Sequence, residues 1–257
     1  MTIYMQNATR PLKEAPMSEA ERKARVELAA AYRIFDMLGW SLLIFNHITL
    51  RVAGPEPRFL INPFGLHYSE ITASSLLLVD LEGNVLRESR WPMNRAGFVI
   101  HSALHESQPE AHCIMHTHTT TGMAVACLKD GLSPHNFYGA MLQGQVAYHD
   151  FEGITVEPGE KERLVRDIGD KRAVILRNHG LLAWGPSVPQ AFLTLWTLQQ
   201  ACDVQIAAAS AGAIHPVTPQ AIAISVRESG QGEKRTCEDV FAALRRKLDS
   251  VDPSYRE

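Results

Sequence analysis

The sequence predicts a layered α/β/α domain built around a mixed or largely antiparallel sheet. Short apolar runs bounded by glycine and proline alternate with longer helical segments, yet without the strict strand–helix–strand rhythm of a parallel sheet. The chain has 257 residues and is 46% apolar, which is ample for one large core with tails.

The elements follow in order. Residues 1–17 are polar, contain Pro11 and Pro16, and are expected to form a loose arm. Ser18 and Glu21 have capping-box spacing and predict a helix to about Leu38, stopped by Gly39. "ITLRV" (48–52) and "RFLI" (58–61) read as strands joined by a turn. "LLLVDLEGNVL" (76–86) reads as strand, Gly-Asn turn and strand. A helix is expected over 95–107, a strand over 111–118 and a helix directly after it, over 120–128. Further strands are expected at 145–150 and 173–178, the latter continued or paired by 180–185, with a helix from Pro158 between them. A long apolar helix follows Pro189, "HPVTP" (215–219) breaks the chain, and an amphipathic helix covers 237–248. The expected division is therefore an arm (1–17), a main domain (18–215) and a C-terminal extension (216–257).

Composition narrows the function. A net charge of −3 and the lack of a basic stripe argue against nucleic acid as a partner. Cys113, Cys127, Cys202 and Cys237 show no paired spacing, as expected of free thiols in a reducing compartment. No stretch approaches the roughly 20 apolar residues of a membrane span. The N-terminus lacks the apolar centre of a signal peptide, so a cytoplasmic protein is expected.

The chemistry lies in the histidines. "HTH" places His116 and His118 one residue apart on a strand, on one face. By itself this pattern fits either a metal site or a solvated strand end. "RNHG" places His179 directly after a second apolar strand, before Gly180, a residue that permits a sharp turn. If the two strand ends are neighbours, three imidazoles converge. Three neutral imidazoles with open positions suit a catalytic metal centre. Zinc is the favoured ion; manganese, cobalt and iron accept the same ligands.

These motifs, together with "FNHITLRV", "FLINPFGLHYSEITASSLLLVDLEGNV", "GFVIHSALHESQPEAHCIMHTHT", "VAYHDFEG" and "VILRNHGLLAWG", resemble the class II aldolase/adducin family over residues 20–215. The resemblance implies a three-layer α/β/α fold with a central, mainly antiparallel sheet. It also implies metal ligation by His116, His118 and His179, and a homo-oligomer, often a cyclic tetramer, with active sites near subunit interfaces. Tyr138 is a candidate to act across such an interface.

Compared with the fuculose-phosphate aldolases it resembles, the sequence departs at two places. Their acid/base glutamate lies 19 residues before the first ligand, where this chain has Gly97; His101, four residues further on, is kept. Glycine cannot move a proton. Their phosphate cradle is also altered. Asn46 and Gly65 are kept, but Phe45, Phe64, Arg95 and Ala96 replace small residues, and bulky rings make a poor anion cradle. Arg95 is instead suited to pair with a carboxylate. These features resemble the adducin-like branch, which includes cytoskeletal proteins with no established catalytic role.

The expected function is a metal-dependent lyase that cleaves a C–C bond, by aldol chemistry or decarboxylation, in a small anionic carboxylate or carbonyl compound. Candidate catalytic residues are His101, Arg95 and Tyr138. Candidate substrate-binding residues are Asn46, His47, Gly65 and Arg95, and the metal ligands are His116, His118 and His179. Each has a plainer reading: a salt bridge for Arg95, a hydrogen-bonded helix histidine for His101, backbone capping for Asn46 and His47. His149 and Asp150 are a candidate pair lining the pocket, or a turn cap. The alternatives are an adducin-like scaffold, or a sugar-phosphate aldolase or epimerase with an altered phosphate site.

Overall fold

Ser18 starts the first helix, α1 (Glu19–Met37): its hydroxyl accepts the Glu21 amide at 3.1 Å. The return half of the capping box is absent, because the Glu21 carboxylate is taken by two arginines. Arg25 meets it at 2.9 Å and Arg87 at 2.8 Å, and Arg25 also donates to the carbonyls of Ala73 and Leu76. A buried pair so completed keeps neither charge unsatisfied. The computed structural model describes residues 16–153, 158–229 and 233–257, without the side chains of residues 95, 96, 158 and 233. The expected N-terminal arm thus lies almost wholly outside the described residues.

Seven strands form one sheet. β1 (His47–Val52) pairs antiparallel with β2 (Arg58–Ile61), and β2 with β3 (Leu77–Val79). The expected second strand of the 76–86 hairpin is reduced to a single Val79–Val85 bridge. Asp80 explains this: its carboxylate captures both the backbone and side-chain amides of Asn84, at 2.7 and 2.9 Å, in competition with a ladder. Helix α2 (Arg95–Ser107), capped by Asn94, leads into β4 (Cys113–Thr117) and helix α3 (Thr120–Ala126). Next come α4 (Phe137–Met141), β5 (Val146–His149), α5 (Pro158–Ile168), β6 (Ala173–Leu176) and β7 (Gly180–Gly185). Three helices close the chain: α6 (Val188–Ala211), α7 (Pro219–Ser229) and α8 (Glu233–Val251). The short α4 and the α7 that follows the "HPVTP" break were not expected from the sequence. No residue of α7 is fully buried.

The strand order is β3-β2-β1-β4-β7-β6-β5, and every pair is antiparallel except β5–β6. Side chains alternate across the sheet. Ile48, Leu50 and Val52 join Met115 and Ile175 under α1, α6 and α8. Ile114, Val174, Leu182 and Trp184 face the other way, under α2 and α5. The segment expected as a C-terminal extension packs Phe241, Leu248 and Tyr255 into the first of these layers. The amides of Ala73 and Ser74 donate to the carbonyls of Tyr255 and Glu257, both at 2.8 Å. Among the described residues, no helix is long and apolar enough to cross a membrane.

Candidate metal centre

The sheet places β4 between β1 and β7, which brings together the ends of two distant segments. His116 lies within β4, opposite His47 on β1 and Leu182 on β7. His118 follows the strand. Its amide donates to Asn46 Oδ1 at 3.1 Å, while Asn46 Nδ2 donates to the Trp40 carbonyl at 2.6 Å. His179 sits in the three-residue turn between β6 and β7, closed by the Leu176–Gly180 pair. The left-handed residue of this turn is Asn178, with φ of 57°, rather than the glycine that the sequence offered as pivot. Gly180 is required for closeness instead. A Cβ there would stand 2.4 Å from the Thr117 carbonyl oxygen and 3.1 Å from His118 Cδ2.

One donor nitrogen from each of His116, His118 and His179 lies within 4.8 Å of the others. Ring centroids are 4.5 Å apart for His116 and His118 and 4.8 Å for each pair with His179. The Nε2 atoms of His116 and His118 approach to 2.6 Å. His116 Nδ1 lies 2.8 Å from the Leu181 carbonyl, which can only accept, so Nδ1 carries the hydrogen and Nε2 the lone pair. Burial, with the neighbouring imidazoles adding to it, holds His116 well below the usual histidine range and brings His118 down to about 4. His179 is lowered by burial as well. The bare Nε2 of His116 can accept a hydrogen from His118 Nε2 across that 2.6 Å, or share a cation with it. The donor set fits a divalent ion with open positions, and the Leu181 carbonyl is the kind of outer partner that orients such a ligand.

Beside this cluster runs a second chain of polar groups. The face of β1 carrying His47, Thr49 and Arg51 looks onto α2, where His101 and His105 stand one helical turn apart. His47 Nδ1 meets His101 Nε2 at 3.0 Å. Thr49 Oγ1 lies 2.8 Å from both His101 Nδ1 and His105 Nε2, and His105 Nδ1 meets the Ala111 carbonyl at 2.7 Å. All four side chains are buried. The His47 ring also packs against His116, centroids 5.0 Å apart, and lies directly against Gly97. A Cβ at position 97 would come within 2.3 Å of His47 Cδ2 and 2.4 Å of its Nε2.

The remaining candidates distribute as follows. His101 belongs to this chain, one ring removed from His116. Asn46 is a buried clamp between Trp40 and His118, with both ends of its amide engaged. Gly65 is exposed, with φ of 115° that demands glycine, and a Cβ there would touch Trp91 at 3.1 Å. Phe45 and Phe64 lie beside one another, ring centroids 6.4 Å apart. Arg95 opens α2, but its side chain lies outside the described residues. Tyr138 packs its ring on Trp196 at 5.4 Å and makes no ring contact with the histidines. His149 pairs with Asp167 at 2.8 Å and not with Asp150, which faces Arg177. Sequence reasoning missed Thr49 and His105. Their signals were the alternating polar residues at 47, 49 and 51 and the i, i+4 pair His101/His105, which show only which faces are polar.

Residues 26–206 match the family model described as "Class II Aldolase and Adducin N-terminal domain". Alpha-adducin of Rattus norvegicus is 46% identical over 198 residues, which is 76% of this chain but 27% of that relative. A solved aldolase II superfamily protein from Pseudomonas syringae superposes with a TM-score of 0.91 at 41% identity, covering 94% of this chain and 98% of that one. L-fuculose 1-phosphate aldolase from Glaciozyma antarctica PI12 superposes with a TM-score of 0.81 at 30% identity, covering 96% and 97%.

Proposed function

Because the chain belongs to the class II aldolase and adducin family, we propose that it is a metal-dependent lyase acting on a small oxygenated carboxylate or carbonyl compound. The observation that carries this reading is the meeting of three imidazole donors within 4.8 Å at the ends of β4 and β6. His116, His118 and His179 would hold a divalent ion, which when bound would supply Lewis acidity to substrate oxygens. The chain's own residues set the rest. The Leu181 carbonyl fixes the lone pair of His116, and Asn46 holds the backbone of His118. Arg95, at the start of α2, is proposed to meet the substrate carboxylate as a two-pronged donor. Gly97 offers no proton carrier, which favours loss of carbon as CO₂ over chemistry that begins by removing a proton. Phe45 and Phe64 disfavour a phosphate group where the sugar-phosphate enzymes hold one.

The test is a screen of small hydroxy- and keto-carboxylates, with sugar phosphates alongside, against zinc- or manganese-loaded protein and the chelator-stripped form. Turnover of a carboxylate that vanishes on stripping and returns with metal supports the reading. Turnover confined to sugar phosphates moves it to the aldolase alternative. A second reading, a binding protein without catalysis, is favoured by the 46% identity to alpha-adducin. It predicts a purified protein with no stoichiometric divalent ion.

A further inference from the structure

The polar chain behind the metal centre has a direction. Ala111 offers a carbonyl, which can only accept, so His105 Nδ1 must donate to it. His105 is buried and held neutral, so its Nε2 has no hydrogen and accepts from the Thr49 hydroxyl at 2.8 Å. The hydroxyl has one hydrogen and has spent it. Its oxygen therefore accepts from His101 Nδ1, also at 2.8 Å. His101 Nε2 is then bare and accepts from His47 Nδ1 at 3.0 Å. His47 Nε2 is the last atom of the series, and it must present a lone pair. Among the described residues it has no hydrogen-bond partner. It shares the sheet face of His116, and it lies in the space that any side chain at Gly97 would fill.

We propose that Ala111, His105, Thr49 and His101 form a tautomer clamp that keeps His47 Nε2 free of hydrogen, as the acceptor for a hydroxyl group of a ligand bound beside His116. The chain ends at a carbonyl, so it cannot carry a proton away; its role is to choose which nitrogen of His47 is bare. His47 would be the group that touches the ligand, and Thr49, His101 and His105 positioning residues that act through it. In solution, a neutral imidazole divides itself between both tautomers; here every link excludes one of them. The ligand half of this inference rests on the metal-centre reading above and narrows its substrate class to compounds with a hydroxyl group next to the metal-binding oxygens. The tautomer half does not depend on it.

The test is ¹⁵N spectroscopy of histidine-labelled, chelator-treated protein at neutral pH. The expected result is protonated Nδ1 and bare Nε2 on His47, His101 and His105 alike. Thr49→Val should leave His105 unchanged while His101 and His47 revert to mixed tautomers, and Thr49→Ser should restore them. A wild-type His47 with hydrogen on Nε2, or a mixture, overturns the clamp, whether or not Thr49→Val folds. Zinc-loaded protein is then titrated with glycolate and with acetate. Glycolate should perturb the His47 Nε2 signal and acetate should not. Glycolate affinity should fall about three- to tenfold in Thr49→Val, the range of one hydrogen bond, and recover in Thr49→Ser. Zinc-loaded protein that ignores glycolate, or binds it with His47 Nε2 unmoved, overturns the ligand half. Failure to bind zinc at all sinks the metal-centre reading instead and leaves the metal-free spectrum to decide the clamp.

Discussion

At position 97 an added Cβ would press on the His47 ring from 2.3 Å, and that ring already packs on His101 and His116, centroids 4.4 and 5.0 Å away. Replacing a helical glycine with alanine ordinarily stabilises by up to about 1 kcal/mol. Here overpacking should cost roughly 1–3 kcal/mol, so Gly97→Ala is expected to lower the urea midpoint, and a raised midpoint would show that the ring yields. The neighbouring histidines make a pH prediction. Burial brings His105 down to about 3, while the unfolded chain titrates near 6.5. Between those values the unfolded state binds the extra proton, so stability is present above about pH 6.5 and is lost as pH falls toward 3. His105 alone should cost about 1.4 kcal/mol per pH unit in that window. His105→Gln should be less stable at pH 7 yet show a shallower loss between pH 6.5 and 5; an unchanged slope would mean that His105 is not the titrating group. The meeting of His116, His118 and His179, which we propose as metal ligands, was legible because each stands in a short motif at or near a strand end. The clamp was not, because Thr49 and His101 are 52 residues apart and meet only through the packing of α2 on β1.

The turn between β6 and β7 governs where His179 points. Asn178 takes the left-handed conformation, which asparagine tolerates and a β-branched residue does not. Asn178→Val should therefore cost about 1–3 kcal/mol and weaken divalent metal binding about 10- to 100-fold, the usual effect of disturbing a ligand's support. Asn178→Gly should keep both properties near wild type. Equal metal affinity in the two variants, measured by chelator competition, would separate the turn from the site. The sequence marked this turn but placed its pivot at Gly180, because glycine is the usual left-handed residue. Only the approach of the Thr117 carbonyl reveals what that glycine does. The strand lost after Gly83 differs for a similar reason: a Gly-Asn turn signals a hairpin, but Asp80, which opens the observed turn, takes the Asn84 amide with its carboxylate.

The α/β/α layers and mostly antiparallel order were readable from the spacing of elements, and all seven strands fall on runs that read as strands. What periodicity did not reveal is that the last helix closes the main core. Phe241, Leu248 and Tyr255 are buried in the main core, Phe241 against the Phe192 ring at 5.7 Å, and Arg33 pairs with Asp252 at 3.0 Å. An amphipathic stripe states that a helix packs, not on what. Leu43, Phe137 and Phe151 remain 67%, 73% and 52% exposed in the single chain. Together with the family expectation of cyclic tetramers, these lead us to propose that the protein is a homo-oligomer. Light scattering behind size exclusion should return a multiple of the 28.5 kDa chain, four being the expected number. Phe137→Glu, on the half of the molecule that carries Tyr138, should reduce it. A monomeric wild-type protein would remove Tyr138 from consideration as a residue that acts on a neighbour's site.

Divalent metal per chain, measured by elemental analysis on protein reloaded with zinc and dialysed, tests the central claim most directly. The expected result is close to one ion per chain in the wild type and a large loss in each of His116→Ala, His118→Ala and His179→Ala, with His47→Ala retaining the metal. Wild-type protein that holds no stoichiometric ion, or three alanine variants that hold as much as it does, would contradict the account.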